Sequence, residues 1–304
     1  MTTLLARQIE ALATALHVPL VDVNAFLAIA LVSLICGLVS PLVVGARMAF
    51  FSDAMAHTGF AGAAVGVLIL VVLTHPGSRL DESPDFWVVP LTMVVFAAAF
   101  GLAIGYVRES TGLSTDTVIG VFFALATGFG AMLIPGLNKR TRFDPEALLF
   151  GSPMYARPED LLFLMALLAA TLVFLQFRFN ALVLASFNPT LARSRGVSVA
   201  LGNYLLIVLL AMVVNFSIRA VGMLIINAML VVPAAAAVNL SRNVRHMVAW
   251  SVAGSVGCGV VGYRICWSYQ LTLFGETISL YPGGTIAPST LAPRQRWPRS
   301  VCTL

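Results

Sequence analysis

Residues 50–73 read FFSDAMAHTGFAGAAVGVLILVVL, a nearly unbroken apolar run that contains one aspartate and one histidine. A helix of about 20 mostly apolar residues is long enough to cross the hydrocarbon core of a bilayer. The run therefore predicts a membrane-spanning helix that holds two ionisable side chains, Asp53 and His57. It indicates an integral membrane protein.

The composition of the whole chain agrees with this interpretation. Of its 304 residues, 59% are hydrophobic and 10% are charged, whereas about a quarter of the residues in an ordinary soluble domain are charged. So few charges cannot cover a water-facing surface, and they also exclude a disordered chain or a nucleic-acid-binding protein. The net charge of +5 is typical of loops that face anionic lipid and says little about a substrate.

Eight stretches have nearly the length and apolar character of a membrane span. They are residues 24–46, 48–74, 86–107, 117–137, 161–177, 197–218, 220–240 and 247–263. We therefore predict an all-α, polytopic transmembrane helical bundle of about eight spans, located in the cell membrane. The transmembrane domain is predicted over residues 24–287, between an N-terminal interfacial segment (1–23) and an atypical polar tail (288–304).

The two ionisable side chains in the second span are candidate metal ligands. A charge inside a bilayer normally faces a partner or a pathway, and the i, i+4 spacing of Asp53 and His57 places both on one helix face. A carboxylate with an imidazole suits zinc, manganese or ferrous iron, and two chains around a twofold axis would supply four ligands. Two alternatives remain open: a hydrogen bond that only fixes helix packing, and a carboxylate that snorkels to the interface.

The same span is rich in small residues, which let membrane helices approach one another closely. They are Ala54, Ala56, Gly59, Ala61, Gly62, Ala63, Ala64 and Gly66. We expect this helix to lie at the centre of the bundle or at a dimer seam.

A polar linker between the fifth and sixth spans reads NPTLARSRG, beginning at Asn188. Asn188 is a favoured N-cap, Pro189 suits the first helical position, and Gly196 suits the residue that ends a helix. We predict a short polar helix that carries Arg193 and Arg195 outside the membrane. It is either a docking element for another protein or a simple capped loop helix.

Several of these stretches together resemble the permease subunits of ABC importers for metal ions, a family that takes up zinc, manganese or iron. RMAFFSDAMAHTGFAGAAVGVL is similar to the second span of the family, STDTVIGVFFALATGFGAMLI to the fourth, and VGMLIINAMLVVPAAAAVNLSR to the seventh. LLFGSPMYARPEDLL resembles a loop of the family. The resemblance covers about residues 25–287.

This resemblance implies a passive permease without a permanent cofactor, which passes a divalent metal ion as its substrate. Asp53 and His57 would be the metal ligands in the translocation path of a homodimer. The ATPase-docking helix would comprise Asn188, Pro189, Leu191, Ala192, Arg193, Arg195 and Gly196. The docking helix and Arg47 would be cytoplasmic and the amino terminus would face outward.

The resemblance also implies the partners of the chain, which are cytoplasmic ATP-binding subunits and an extracytoplasmic metal-binding protein. The chain has no Gly-x-x-x-x-Gly-Lys-Ser/Thr motif, so we expect the ATPase to be a separate protein. The family usually has acidic residues where this chain has Asn188 and Thr190.

The carboxyl-terminal region departs from the family, in which a Pro-x-Gly turn precedes a final apolar helix. ETISLYPGGTIA resembles that turn and the first residues of the helix, but residues 288–304 contain three prolines and no apolar run. No spanning helix fits such a segment. We expect the final helix of the family to be missing and the carboxyl terminus to be altered.

Three other functions remain open at this stage. A secondary ion-coupled metal transporter fits the hydropathy, although that class usually shows inverted repeats or several intramembrane acids. An intramembrane metalloenzyme would need more ligands than four scattered histidines, and the chain lacks His-Glu-x-x-His. The third alternative is a permease that its altered carboxyl terminus makes non-functional. The identity of the metal stays open.

Overall fold

The computed structural model of the chain describes residues 19–46, 48, 50–73, 88–138, 158–187, 189–196, 198–241, 243–268, 270–273 and 276–279. Most of the predicted interfacial segment, the polar tail with its expected missing helix, Arg47 and Asn188 lie outside these residues.

The helices of the described part follow the predicted spans in order. They are α1 (Leu20–Gly45), α2 (Phe51–Leu73), α3 (Val88–Thr111), α4 (Thr115–Asn138), α5 (Pro158–Phe187), α6 (Pro189–Ser194), α7 (Val199–Val221), α8 (Met223–Leu240) and α9 (Val244–Ser268). Seven are long and apolar enough to cross a membrane, and α8 contributes the shorter apolar helix Ile225–Leu240. The prediction of a polytopic helical bundle with about eight spans is confirmed.

A short hairpin follows α9, and the sequence analysis did not predict it. Strands β1 (Gln270–Leu273) and β2 (Glu276–Ser279) pair antiparallel, with Gln270 opposite Ser279. The residues of β2 belong to ETISLYPGGTIA, the stretch that resembles the turn and the first residues of a final helix in the family. Their sequence, ETIS, contains β-branched residues that favour a strand.

Helix α2 lies at the centre of the bundle, where it contacts α3, α4, α7 and α8. Its alanines are fully buried: Ala54, Ala56, Ala61, Ala63 and Ala64. Gly62 approaches α3 so closely that a Cβ atom on it would lie 2.9 Å from the Cα atom of Met93. The small residues thus allow the backbones to pack closely, as expected for a central helix.

The first turn of α2 lies level with the middle of α7. A Cβ atom on Gly101 of α3 would lie 2.8 Å from Cγ2 of Ile207 in α7 and 3.5 Å from Cζ of Phe51. Ile207 comes eight residues after the start of α7 at Val199, which is about 12 Å along a helix. Asp53 follows Phe51 by two residues, so it lies well inside the bundle. This depth argues against a carboxylate that snorkels to the interface.

A second close contact joins α1 to α9. A Cβ atom on Gly37 would lie 2.7 Å from the Cα atom of Val252. One turn away, the hydroxyl groups of Ser40 and Ser251 are hydrogen-bonded at 2.6 Å, and both serines are fully buried. The seam thus pairs two buried hydroxyl groups across closely packed helices.

Candidate metal pathway site

Asp53 and His57 lie together on one face of α2, as their spacing predicts. Oδ1 of Asp53 is 3.9 Å from Nε2 of His57, which is too long for a hydrogen bond. The packing alternative, which requires a direct Asp53–His57 hydrogen bond, therefore loses its support. Because metal–ligand bonds to oxygen and nitrogen are about 2.0–2.2 Å long, one ion can contact both atoms at this separation.

The two side chains are more exposed than their immediate neighbours in α2. The side chain of Asp53 is 45% exposed and that of His57 is 21% exposed, whereas the neighbouring Ala54, Met55 and Ala56 are fully buried. A half-exposed carboxylate at this depth needs an aqueous path or a second polar surface, because lipid does not solvate it.

The imidazole of His57 is positioned by an aromatic contact. Its ring meets the ring of Phe123 in α4 edge to face, with the ring centroids 4.6 Å apart and an interplanar angle of 77°. Such a contact favours one ring orientation. It restricts the directions in which the imidazole nitrogens can point.

Asn227 of α8 joins the site, and the sequence analysis did not identify it. Its Nδ2 donates a hydrogen bond of 2.7 Å to Oδ1 of Asp53. Its own Oδ1 is buried and has no hydrogen-bond partner in the described part of the chain. The available signal was a polar residue in the apolar run GMLIINAMLVV. Across the described ranges, no group of three or more His, Cys, Asp or Glu residues is arranged to hold a metal.

The short helix α6 begins at Pro189 and ends at Ser194. Gly196 follows with φ +72°, in the left-handed region that favours glycine, and its N–H donates to the carbonyl of Arg193 at 3.0 Å. These bounds agree with the predicted helix. Ala192 is buried, while Leu191, Arg193 and Arg195 are exposed.

A cavity of about 480 Å³ lies beside α6, between the carboxyl end of α3 and the start of α7. Its polar lining comes from Arg108, Glu109, Arg193, Asn203 and Tyr204. The hydroxyl group of Tyr204 donates to Oε2 of Glu109 at 2.9 Å and so ties α7 to α3. We call this end of the bundle, with α6 and the cavity, the α6 end.

Comparison with known proteins identifies relatives along nearly the whole bundle. The model of a family described as the ABC 3 transport family matches residues 21–281. The high-affinity zinc uptake system membrane protein ZnuB of Haemophilus influenzae is 26% identical over 246 residues, 81% of this chain and 87% of that protein. The manganese import system permease protein ScaB of Streptococcus gordonii is 26% identical over 275 residues, 90% of this chain and 92% of that protein.

A solved structure has the same fold. PsaBC from Streptococcus pneumoniae, determined in complex with a Fab, matches with a TM-score of 0.66 and 26% sequence identity. The match covers 81% of this chain and 82% of that chain.

Proposed function

Because the chain belongs to the ABC 3 transport family and is a multi-pass membrane permease subunit of a metal-ion ABC transporter, we propose that Asp53 and His57 line its metal pathway. The transported ion is a divalent cation of the zinc, manganese or ferrous iron type. Two named relatives, one a zinc uptake protein and one a manganese importer, support this substrate class. The metal is cargo, and the permease needs no resident cofactor.

The observation that carries the proposal is the Asp53–His57 pair itself. The two groups lie 3.9 Å apart, in the middle of the bundle, on a mostly apolar helix whose neighbouring Ala54, Met55 and Ala56 are fully buried. An oxygen and a nitrogen ligand bind such cations. Two protein ligands hold an ion loosely, which suits a site that must release its ion after each transport cycle.

The functional unit in this proposal is a homodimer. The side chain of Asp53 is nearly half exposed in a single chain, so it is available to a second subunit. Two copies related by a twofold axis would bring two carboxylates and two imidazoles to one pathway. This arrangement supplies the four ligands that zinc commonly takes.

The proposed energy source is a separate ATP-binding subunit that docks at the α6 end. Leu191, Arg193 and Arg195 are exposed on and just after α6, while Ala192 anchors the helix to the bundle. Arg193 also lines the cavity beside α6, so the docking surface would extend to Arg108 and Glu109. In this proposal the α6 end is cytoplasmic, and an extracytoplasmic metal-binding protein delivers the ion to the opposite end.

Metal accumulation in cells tests the transport proposal. Cells without their own zinc and manganese importers would express this chain with its ATP-binding subunit and metal-binding protein. We expect the wild type to accumulate metal and an equally abundant Asp53→Asn variant to stay at background. ATP depletion should stop uptake, whereas collapse of the ion gradients should not. Uptake that follows the ion gradients would instead establish a secondary transporter.

Charge reversal tests the docking surface. We expect Arg193→Glu to weaken co-purification of the ATP-binding subunit, because Arg193 is exposed on α6. Arg245→Glu is the matched control, since Arg245 is an exposed cation in the first turn of α9. It lies at the same end, where Val244 shares a cavity with Val183 of α5. Equal loss with both variants would contradict docking through α6.

A further inference from the structure

The hydrogen bond between Asn227 and Asp53 brings an amide group into the metal pathway. Asn227 lies in the second turn of α8, a helix whose other described polar residue is Asn239. The 2.7 Å hydrogen bond from Nδ2 of Asn227 to Oδ1 of Asp53 connects α8 directly to α2 at this site. Polar side chains inside membrane bundles are expensive and commonly mark a pathway.

The amide oxygen of Asn227 is available to bind a ligand. Oδ1 of Asn227 is buried and has no hydrogen-bond partner in the described part of the chain. An amide oxygen accepts up to two hydrogen bonds, and a buried one without a partner costs free energy. This oxygen is therefore available to a cation or a hydrogen-bond donor in the pathway.

Asn215 shows that an unpartnered amide oxygen is not by itself enough to indicate a metal ligand. Its Oδ1 is also buried without a described partner, but its Nδ2 bonds the carbonyl of Ala211 in its own helix. Its amide packs directly on Gly59. Asn215 thus touches backbone, whereas Asn227 touches the carboxylate that is the proposed metal ligand.

The chemistry of an amide lets Asn227 face both a bare carboxylate and a cation. Without a bound cation, the carboxylate of Asp53 attracts the N–H end of the amide. A divalent cation bound to Asp53 and His57 repels that end and attracts the oxygen. Rotation about the Cβ–Cγ bond exchanges the two ends, because they have nearly the same shape.

We propose that Asn227 supplies its amide oxygen as a third protein ligand to the transported cation and thereby favours manganese over zinc. This inference rests on the proposed function. With Asn227, each protomer contributes a carboxylate oxygen, an amide oxygen and an imidazole nitrogen. Carboxylate and carbonyl oxygens suit manganese, whereas zinc is bound well by nitrogen and sulfur. The oxygen of Asn227 therefore shifts the preference of the site toward the harder ion.

Competitive uptake of the two radioactive metals tests this assignment. Cells that carry the complete transporter would be given equal concentrations of ⁵⁴Mn²⁺ and ⁶⁵Zn²⁺. Asn227→Leu keeps the approximate shape but removes both polar ends, and we expect it to lower the manganese-to-zinc uptake ratio by about tenfold, mainly through a higher KM for manganese. Asn227→Asp keeps an oxygen, and we expect it to retain or raise that ratio. Asn239→Leu is the control on the same helix.

The outcomes separate this inference from the proposed function. An unchanged ratio in Asn227→Leu, or an equal change in Asn239→Leu, would overturn the ligand role of Asn227 while uptake itself continues. If Asn227→Leu abolishes all uptake, the Asn227→Asp variant decides. Manganese uptake by Asn227→Asp would support the ligand role of Asn227, and no manganese uptake by that variant would overturn it. A wild type that accumulates neither metal would contradict the proposed function, and this inference with it.

Discussion

Two hydrogen bonds between helices of this bundle have nearly the same length but differ in how far their groups are exposed. The hydroxyl groups of Ser40 and Ser251 are 2.6 Å apart and fully buried. The Asn227–Asp53 bond is 2.7 Å long, but its carboxylate is half exposed, and its buried amide oxygen has no hydrogen-bond partner among the described residues. Length therefore does not distinguish the two contacts. Exposure and remaining hydrogen-bond capacity do, because the serine pair is closed to solvent whereas the proposed site keeps an exposed carboxylate and a buried acceptor.

Replacing Asp53 should have the largest effect on metal uptake. Asp53→Asn removes the negative charge but keeps the shape and an acceptor for Asn227. We expect metal uptake to fall by at least about 100-fold, since loss of a ligand should cost more than loss of an outer partner. Radioactive metal accumulation, normalised to protein in the membrane, measures it. Uptake within threefold of the wild type, a difference of about 0.7 kcal/mol since each tenfold is about 1.4 kcal/mol, would make Asp53 structural.

His57→Gln should reduce uptake somewhat less. Glutamine keeps a polar side chain but offers a weaker ligand than imidazole, so we expect a loss of about 10–100-fold. The edge contact with Phe123 is lost in the same variant, so Phe123→Leu is the control for packing. A larger loss in Phe123→Leu than in His57→Gln would assign the effect to ring packing and not to the metal.

Gly59 tests the packing that holds the site in the bundle. A Cβ atom on Gly59 would collide with the side-chain amide of Asn215 in α7, so we expect Gly59→Ala to lower stability by about 1–3 kcal/mol, as overpacking does. Gly120 of α4 has open space around it, and Gly120→Ala should leave the protein as stable or slightly more stable. Thermal unfolding of the purified protein in detergent compares the two. Equal Tm values would mean that α2 and α7 have room to separate.

The Ser40–Ser251 pair should show the smallest effect, and only on stability. Interhelical hydrogen bonds in membrane bundles couple by about 0.6 kcal/mol on average. A double-mutant cycle with Ser40→Ala and Ser251→Ala should give a value of this size from unfolding equilibria, while metal uptake per molecule stays that of the wild type. A tenfold loss of uptake in Ser40→Ala would remove the distinction between the two contacts.

The bundle was predictable from the sequence because apolar length alone specifies a membrane helix. The Asp53–His57 pair was predictable as a pair, since helical spacing fixes the face on which both residues lie. The depth of Asp53 was not predictable, because it depends on how α2 packs against α3 and α7, which no local spacing specifies. That depth emerges only from the approach of Gly101 in α3 to both Phe51 of α2 and Ile207 of α7.

Asn227 could not be assigned from the sequence for a similar reason. A polar residue in an apolar span is visible, but its partner lies 174 positions away and no local spacing connects the two. The hairpin of Gln270–Leu273 and Glu276–Ser279 was missed because the family resemblance suggested a turn and a helix there. Local β-propensity was the signal that favoured strands.

Direct metal binding tests most sharply whether the ion passes between Asp53 and His57. The permease would be purified with its ATP-binding subunit in lipid nanodiscs and titrated with ⁵⁴Mn²⁺ and ⁶⁵Zn²⁺ at equilibrium. We expect one saturable ion for every two permease chains in the wild type and in Ser40→Ala, no detectable binding in Asp53→Asn, and an affinity about 10–100-fold lower in His57→Gln. Unchanged stoichiometry and affinity in the two site variants would contradict a metal pathway through this pair.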